Sequence, residues 1–226
     1  MKYDAVILAY RRPAELLETV RSVRAQDAPP DELIIFHNDS NCPDVAGAIN
    51  VRAGKNFGCR ARHAIGLLCQ APVVMFVDDD VILRSPSVAG RLLDGLDRHP
   101  VSVVGYVGRR LVQGKYSCGQ EIKFTAEDCR VDVVKGRLHM AARGLLAAPL
   151  ELDLPADVAA EDDIILNAAA QMRWAKSSWV VAGFSPGDIE NQPTQNGLEH
   201  RKDHRQRRDA ACRNMIDLGW KPGEAR

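Results

Sequence analysis

Apolar residues fall into short runs separated by polar stretches with helical spacing. DAVILAY (4–10), ELIIFHND (32–39) and VVMFVDDD (73–80) are nearly continuous apolar runs, the latter two ending in polar groups. Such runs predict strands buried on both faces. Between the first two, Leu16, Leu17, Val20 and Val23 recur at spacings of one, three and three behind Pro13. This predicts a helix with the proline in its first turn. QDAPPD closes that helix, and a second segment with helical spacing runs from about Arg60 to Cys69 before Ala71 and Pro72 lead into the third strand. Strand and helix alternating at these intervals predict an α/β fold, with a mainly parallel, Rossmann-like sheet and helices on both faces.

Farther on, Ser85 and Pro86 predict the cap and first turn of a helix through SVAGRLLDGLDRH, and VSVVGYVG (101–108) predicts a strand. Gly114, Gly119, Gly136 and Gly144 then interrupt the pattern to about residue 155, which predicts irregular strands and loops. AEDDIILNAAAQMRW (160–174) predicts a helix with acids in its first turn, where free amides and the dipole favour them. SSWVVAG predicts a short strand. SPGDIENQPTQNG (185–197) lacks apolar periodicity and predicts a loop long enough to act as a lid. Leu198 to Leu218 predicts a helix, basic on one face.

Composition narrows the class. The 226 residues and 24.9 kDa suit one compact domain of about 17 Å radius of gyration. With 46% hydrophobic and 27% charged residues the chain is neither disordered nor fibrous. Thirty basic and thirty acidic residues cancel, so the net field selects no polyanion or anionic membrane, although a local cluster still could. No apolar stretch approaches the roughly 20 residues of a membrane span, and MKYDAVILAY reads as a strand, not a signal peptide. Six cysteines without a CxxC spacing favour free thiols in a reducing, cytoplasmic setting, with a Cys118–Cys129 disulfide as the alternative.

The sharpest chemical feature is Asp78-Asp79-Asp80 at the exit of a very apolar strand. Ligands gather at the carboxyl ends of parallel strands. Three adjacent carboxylates need a counterion, and a hard divalent cation taking one or two carboxylates plus substrate phosphates meets that need. Strand alternation would aim Asp78 and Asp80 to one side and Asp79 to the other. Asn38 and Asp39 end the second strand on the same rim, either as base or ribose contacts or as a simple turn. Arg11 and Arg12 end the first strand there, facing a diphosphate or solvent. Arg60 and Arg62 cannot share a helical face, so at most one reaches the rim. Neither GxGxxG nor GxxxxGK[ST] occurs, which counts against dinucleotide and P-loop binding. Glu161-Asp162-Asp163 forms a second acidic group, either a helix cap or a contact to a reacting sugar. Two separated acidic centres describe a nucleotide-sugar transferase.

VMFVDDDVILRSP resembles the DxD region of GT-A glycosyltransferases, in particular the exostosin-like family, glycosyltransferase family 64. LAYRRPAELLETVRSV, ELIIFHNDS, EDDIILNAA and EHRKDHRQRRDAACRNMIDLG agree with that family in order, so the resemblance covers nearly the whole chain. It implies a single GT-A domain over 1–226, with a nucleotide-binding half (1–108) and an acceptor-binding half (109–226). By the same resemblance, Arg12 and Asn38 contact a uridine nucleotide, Arg62 the nucleotide sugar, and Asp78 and Asp79 ribose and sugar. Asp80 takes Mn²⁺ (or Mg²⁺), Asp163 is the catalytic-site carboxylate, and Arg207 or Arg208 meets the diphosphate. The sequence departs from the family at Ala160, where the family has Asn, and at His37, where it has Trp.

The expected activity is metal-dependent transfer of a hexosyl or N-acetylhexosaminyl group from a UDP-sugar to a carbohydrate or other hydroxyl acceptor, with retention. Three rivals stand beside it: an inverting family 2-like enzyme with Asp162 or Asp163 as general base, a nucleotidyltransferase, and a glycosyltransferase acting on modified nucleic acid. The last draws on six Lys or Arg residues between Arg201 and Arg213, together with His200 and His204.

Overall fold

A computed structural model describes residues 1–38, 41–155, 158, 161–193 and 202–223. In chain order its elements are β1 (Tyr3–Ala9), α1 (Pro13–Arg24), β2 (Leu33–His37), β3 (Ile49–Arg52), α2 (Ala61–Gly66), β4 (Val73–Asp78), β5 (Val81–Leu83) and α3 (Val88–Arg98). There follow β6 (Val103–Gly105), β7 (Val107–Val112), β8 (Lys115–Lys123), β9 (Cys129–Val131), β10 (Val133–Val134) and β11 (Leu138–Ala142). After a 3₁₀ turn (Arg143–Ala147) come α4 (Ala148–Glu151), α5 (Asp162–Trp174), β12 (Ser178–Val180), β13 (Ile189–Asn191) and α6 (His204–Asp217).

The main sheet has the order β3-β2-β1-β4-β11-β6-β12-β9. Its first four strands are mutually parallel, β12 is parallel to β6, and β11 and β9 run antiparallel to their neighbours. Successive side chains of a strand face opposite ways. Thus Ile7, Met75 and Val77 pack with Leu16, Val20 and Val23 of α1 and Leu92 and Leu96 of α3, while Val6, Leu8 and Phe76 pack with Ile65 of α2 and Leu166 of α5. Complete burial of each such side chain contributes about 1.5–3 kcal/mol. α2 comes so close to the sheet that a Cβ on Gly66 would lie 2.8 Å from the Phe76 ring. Asp4 is buried and accepts the backbone N–H groups of Glu32, Gln70 and Ala71, tying the starts of β1, β2 and β4 together.

β1 has β2 on one side and β4 on the other, so the chain reverses its direction of sheet growth at β1. The crevice at the carboxyl ends of β1 and β4 is therefore the natural ligand site.

Several expectations need correction. VSVVGYVG is two strands, because β6 joins the main sheet while β7 leaves it for a second sheet of order β10-β7-β8. β3 was not anticipated. α3 starts at Val88 after Ser87, and the Ser85 hydroxyl bonds to that of Ser87 without capping the helix. Residues 185–193 are not a free loop. Buried Ile189 anchors β13, which pairs antiparallel with β5, and Asp188 accepts Arg91 (2.6 Å) and the Ser185 N–H (2.7 Å). Residues 194–197 of the expected lid, and 198–201 of the expected tail helix, lie outside the described residues. All six cysteines are free thiols.

Candidate active site

The first centre forms where β1 and β4 end side by side. Arg11 adopts φ +57°, a left-handed conformation uncommon for a residue with a side chain, and the turn brings Arg12 back toward β4. Arg12 Nη1 donates to Asp79 Oδ1 (2.9 Å) and lies 2.6 Å from Asp80 Oδ2. Asp79 Oδ2 accepts the Tyr10 N–H at 2.6 Å, and the Thr19 hydroxyl donates to the Asp79 carbonyl at 3.1 Å. Burial pushes the Asp79 carboxyl up to about 7, against the Tyr10 amide and Arg12 charge that favour its anion. β4 ends at Asp78, so residues 79 and 80 lie in a turn and lose the strand alternation expected of them; Asp79 and Asp80 share one guanidinium. Asp78 faces away and accepts Arg62 Nη2 at 2.8 Å.

The second centre is the start of α5. Asp163 Oδ2 accepts Arg208 Nη2 (2.7 Å) and the Gly136 N–H (3.1 Å), while Oδ1 accepts the Ile164 N–H (2.8 Å). Burial alone would raise its pKa, but Arg208 and these amides outweigh it and hold the carboxyl below its ordinary value. Asp162 has one guanidinium nearby, Arg62 Nε at 2.9 Å from Oδ2, and that N–H is not aligned on the oxygen as a hydrogen bond. Burial, the Asp163 charge and the Asp78 charge raise Asp162 above the usual carboxylate range, despite Arg62. Two adjacent carboxyls thus have pKa values driven apart, the arrangement that divides roles between an acid–base group and a permanent anion.

Arg62 connects the centres. It is buried, and its three nitrogens meet Asp78, Asp162 and the Gly136 carbonyl (Nη1, 2.9 Å). Arg208, also buried, joins Asp163 to Glu161 (3.0 Å) and lies 4.0 Å above the Tyr116 ring. Between these side chains opens a cleft of about 220 Å³, lined by Arg62, Asp78, Asp162, Asp163 and Arg208 but not by Arg12, Asp79 or Asp80.

Residues 4–140 match the family described as glycosyl transferase family 2. The chain belongs to that family. Its fold is the GT-A fold, similar to the mannosyltransferase PcManGT from Pyrobaculum calidifontis in complex with GDP-Man and Mn²⁺ (TM-score 0.69, 16% identity, covering 99% of this chain and 66% of that one). It is also similar to S. aureus TarS 1–349 (TM-score 0.58, 14% identity, covering 82% and 59%). This chain therefore spans under two thirds of either structure's length. No curated protein matches the sequence.

Within this family 2 domain, the sequence-expected residues have separate fates. The expected residues fall into two neighbouring sets: Arg12 pairs with Asp79 and Asp80 at the β1–β4 rim, whereas Arg62, Asp78, Asp162, Asp163 and Arg208 line the cleft. Asn38 does not offer its amide to the crevice: it accepts the Phe57 N–H (3.0 Å) and donates to the Gly58 carbonyl (3.1 Å). Arg60 turns away to the carbonyls of Pro149 and Leu152. Arg207 approaches Glu161 at 3.7 Å without reaching Asp163. His37, buried at the end of β2, bonds Asn50 Oδ1 at 2.9 Å. Asp39, Ala160, His200 and Arg201 lie outside the described residues. Gly136, Arg109 and Tyr116 belong to the site and were missed, since they come from the stretch whose pattern carried no periodic signal.

The first centre offers oxygen donors only, and among the described residues no group of three His, Cys, Asp or Glu could hold a metal alone. That suits a hard cation that takes one or two carboxylates and completes its shell with phosphate and water. No helix among the described residues is long and apolar enough to cross a membrane.

Proposed function

We propose that this family 2 chain transfers a sugar from a nucleoside-diphosphate sugar to an acceptor hydroxyl with Mn²⁺ or Mg²⁺, and inverts the anomeric centre. The observation carrying this reading is the buried Arg62 that joins Asp78 at the β4 rim to Asp162 at the helix start, so that donor and acceptor chemistry share one cleft. Asp80, with Asp78 or Asp79, would hold the cation, which neutralises the departing diphosphate when bound. Asp162, with its raised pKa, takes the proton of the acceptor hydroxyl. The freed oxygen attacks the anomeric carbon, the bond from that carbon to the diphosphate oxygen breaks, and the nucleoside diphosphate leaves with the electron pair. Asp163, fixed as an anion by Arg208, orients the site and is a poor base.

The exostosin-like resemblance supports the alternative of retention, with Asp163 steadying the sugar carbon. The family 2 match and the divergent carboxyl pair support inversion. For the donor, the resemblance supports a UDP-sugar, and the bound GDP-Man of the similar mannosyltransferase supports testing guanine nucleotides equally. A screen of UDP-, GDP- and CMP-sugars for metal-dependent hydrolysis needs no acceptor, and NMR of the product anomer gives the stereochemistry. Inverted sugar from one donor is expected. Pyrophosphate release from a nucleoside triphosphate, without sugar transfer, would instead make the chain a nucleotidyltransferase.

A further inference from the structure

A second pocket, of about 340 Å³, shares no lining residue with the active cleft. Arg109 of β7 borders the active cleft and Arg110, the next residue, borders this one, so the two open on different sides of that strand. Among the described residues three cationic side chains line it, Arg110, Arg130 and Lys176, against one carboxylate, Asp132.

Both Asp132 oxygens are already engaged by backbone amides. Its Oδ2 accepts the Leu111 N–H and its Oδ1 the Gly223 N–H, each at 2.7 Å. Arg110 is steadied by Nε donating to the Arg130 carbonyl (2.9 Å), and none of the three cations is in an ion pair with another described residue. Burial lowers the Arg130 pKa and the Asp132 charge only partly offsets it. The far wall is built, since Gln171 accepts the Trp220 indole N–H and donates to the Lys221 carbonyl at 3.1 Å. Among the described residues, three cations facing one engaged carboxylate leave two positive charges around a cavity larger than a few waters.

We propose that this pocket binds a phosphate dianion, as free phosphate or as a phosphomonoester on a sugar, outside the catalytic cleft. Two guanidiniums can offer paired N–H donors to phosphate oxygens and Lys176 a third charge. A purely structural role is the competing account, because α5 ends at Trp174 and cations near a helix C-terminus favour its dipole without any ligand.

The experiment titrates the full chain with inorganic phosphate at constant ionic strength, with chloride as the control, following Tm and backbone amide resonances. We expect phosphate to raise Tm, to shift the amides of Ser178 and Gly223, and to bind about tenfold more weakly to Arg130→Gln and to Lys176→Gln. Lys176 lies between α5 and β12 and makes no hydrogen bond to another described residue, so its variant tests the proposal even if Arg130→Gln fails to fold. Glucose 6-phosphate identifies the source: tighter binding than inorganic phosphate supports an ester, equal binding supports the free ion. Equal responses of wild type and both variants, an effect matched by chloride, or amide shifts confined to the Asp78–Arg208 cleft would each overturn the proposal.

Discussion

Asp162 and Asp163 are neighbours in sequence with opposite electrostatics, because Arg208 reaches only one of them. If Asp162 is the base, Asp162→Asn should lower kcat by about 10²–10⁴-fold while calorimetry finds nucleotide affinity nearly unchanged. The pH profile carries the sign. A raised pKa leaves Asp162 protonated at acid pH, so wild-type kcat/KM should climb as pH rises through that pKa, and Asp162→Asn should lose that limb. Equal activity in both would leave Asp162 a structural acid. Behind the site, His139 is buried and stacked on Phe76, and burial followed by the Arg62 charge pushes its pKa down to about 3. An unfolded histidine titrates near 6.5. Between those values the unfolded chain binds a proton the native chain refuses, so stability present above pH about 6.5 is lost as pH falls, by about 1.4 kcal/mol per unit. Urea unfolding of His139→Phe should show a shallower acid decline than wild type, and an identical slope would assign the decline elsewhere, first to buried His63, whose pKa is also lowered.

Elements were legible where their own pattern decides them. β1, β2 and β4 read as strands because both faces are buried, and α1 and α5 read as helices from apolar spacing and first-turn Pro or acids. β13 was illegible because its one apolar anchor, Ile189, gains its meaning only from pairing with β5 more than a hundred residues earlier. Hydrogen exchange should therefore protect backbone amides of β13 without nucleotide; exchange at unprotected rates would return the segment to the lid first expected. α6 has a similar character. Its sequence is basic, yet Arg208 points inward to Glu161 and Asp163, and Ala211, Cys212, Met215 and nearby Trp220 pack with Ile164, Ile165 and Ala168 of α5. Breaking the buried pair strands two carboxylates, so Arg208→Gln should cost about 3–5 kcal/mol in urea unfolding. Arg208→Lys should recover only part, since an ammonium cannot fork between Glu161 and Asp163 as the guanidinium does. A neutral result for Arg208→Gln would mean the helix is held by Trp220 and its apolar neighbours alone.

At the scale of the molecule, the candidate site was legible in pieces. The triple aspartate and Asp163 stood out as charged residues at element ends, and Arg62 and Arg208 through the family resemblance, whereas Gly136, supplied by the turn between β10 and β11, which bonds both Arg62 and Asp163, carried no signal. A charge run in sequence also says nothing about which way each charge faces, and this bears on the nucleic-acid alternative. Within α6 the cations are Arg205, Arg207, Arg208 and Arg213; Arg208 is buried on carboxylates, Arg207 leans on Glu161, and Arg205 borders the active cleft. A strip of phosphate contacts along a duplex would need these side chains outward together. Each phosphate neutralised adds about 0.9 to the slope of log K against log salt, so six contacts would give a slope near −5. With the net charge balanced, Arg207 and Arg208 engaged by Glu161 and Asp163, and only Arg205 and Arg213 of the α6 arginines exposed, the salt dependence of DNA or RNA binding should be shallower than about −2. Fluorescence anisotropy across a salt series measures that slope directly. A steep slope together with tight binding in the absence of nucleotide sugar would show that the basic residues lie outward in solution, and would shift the acceptor from a carbohydrate hydroxyl to a nucleic acid.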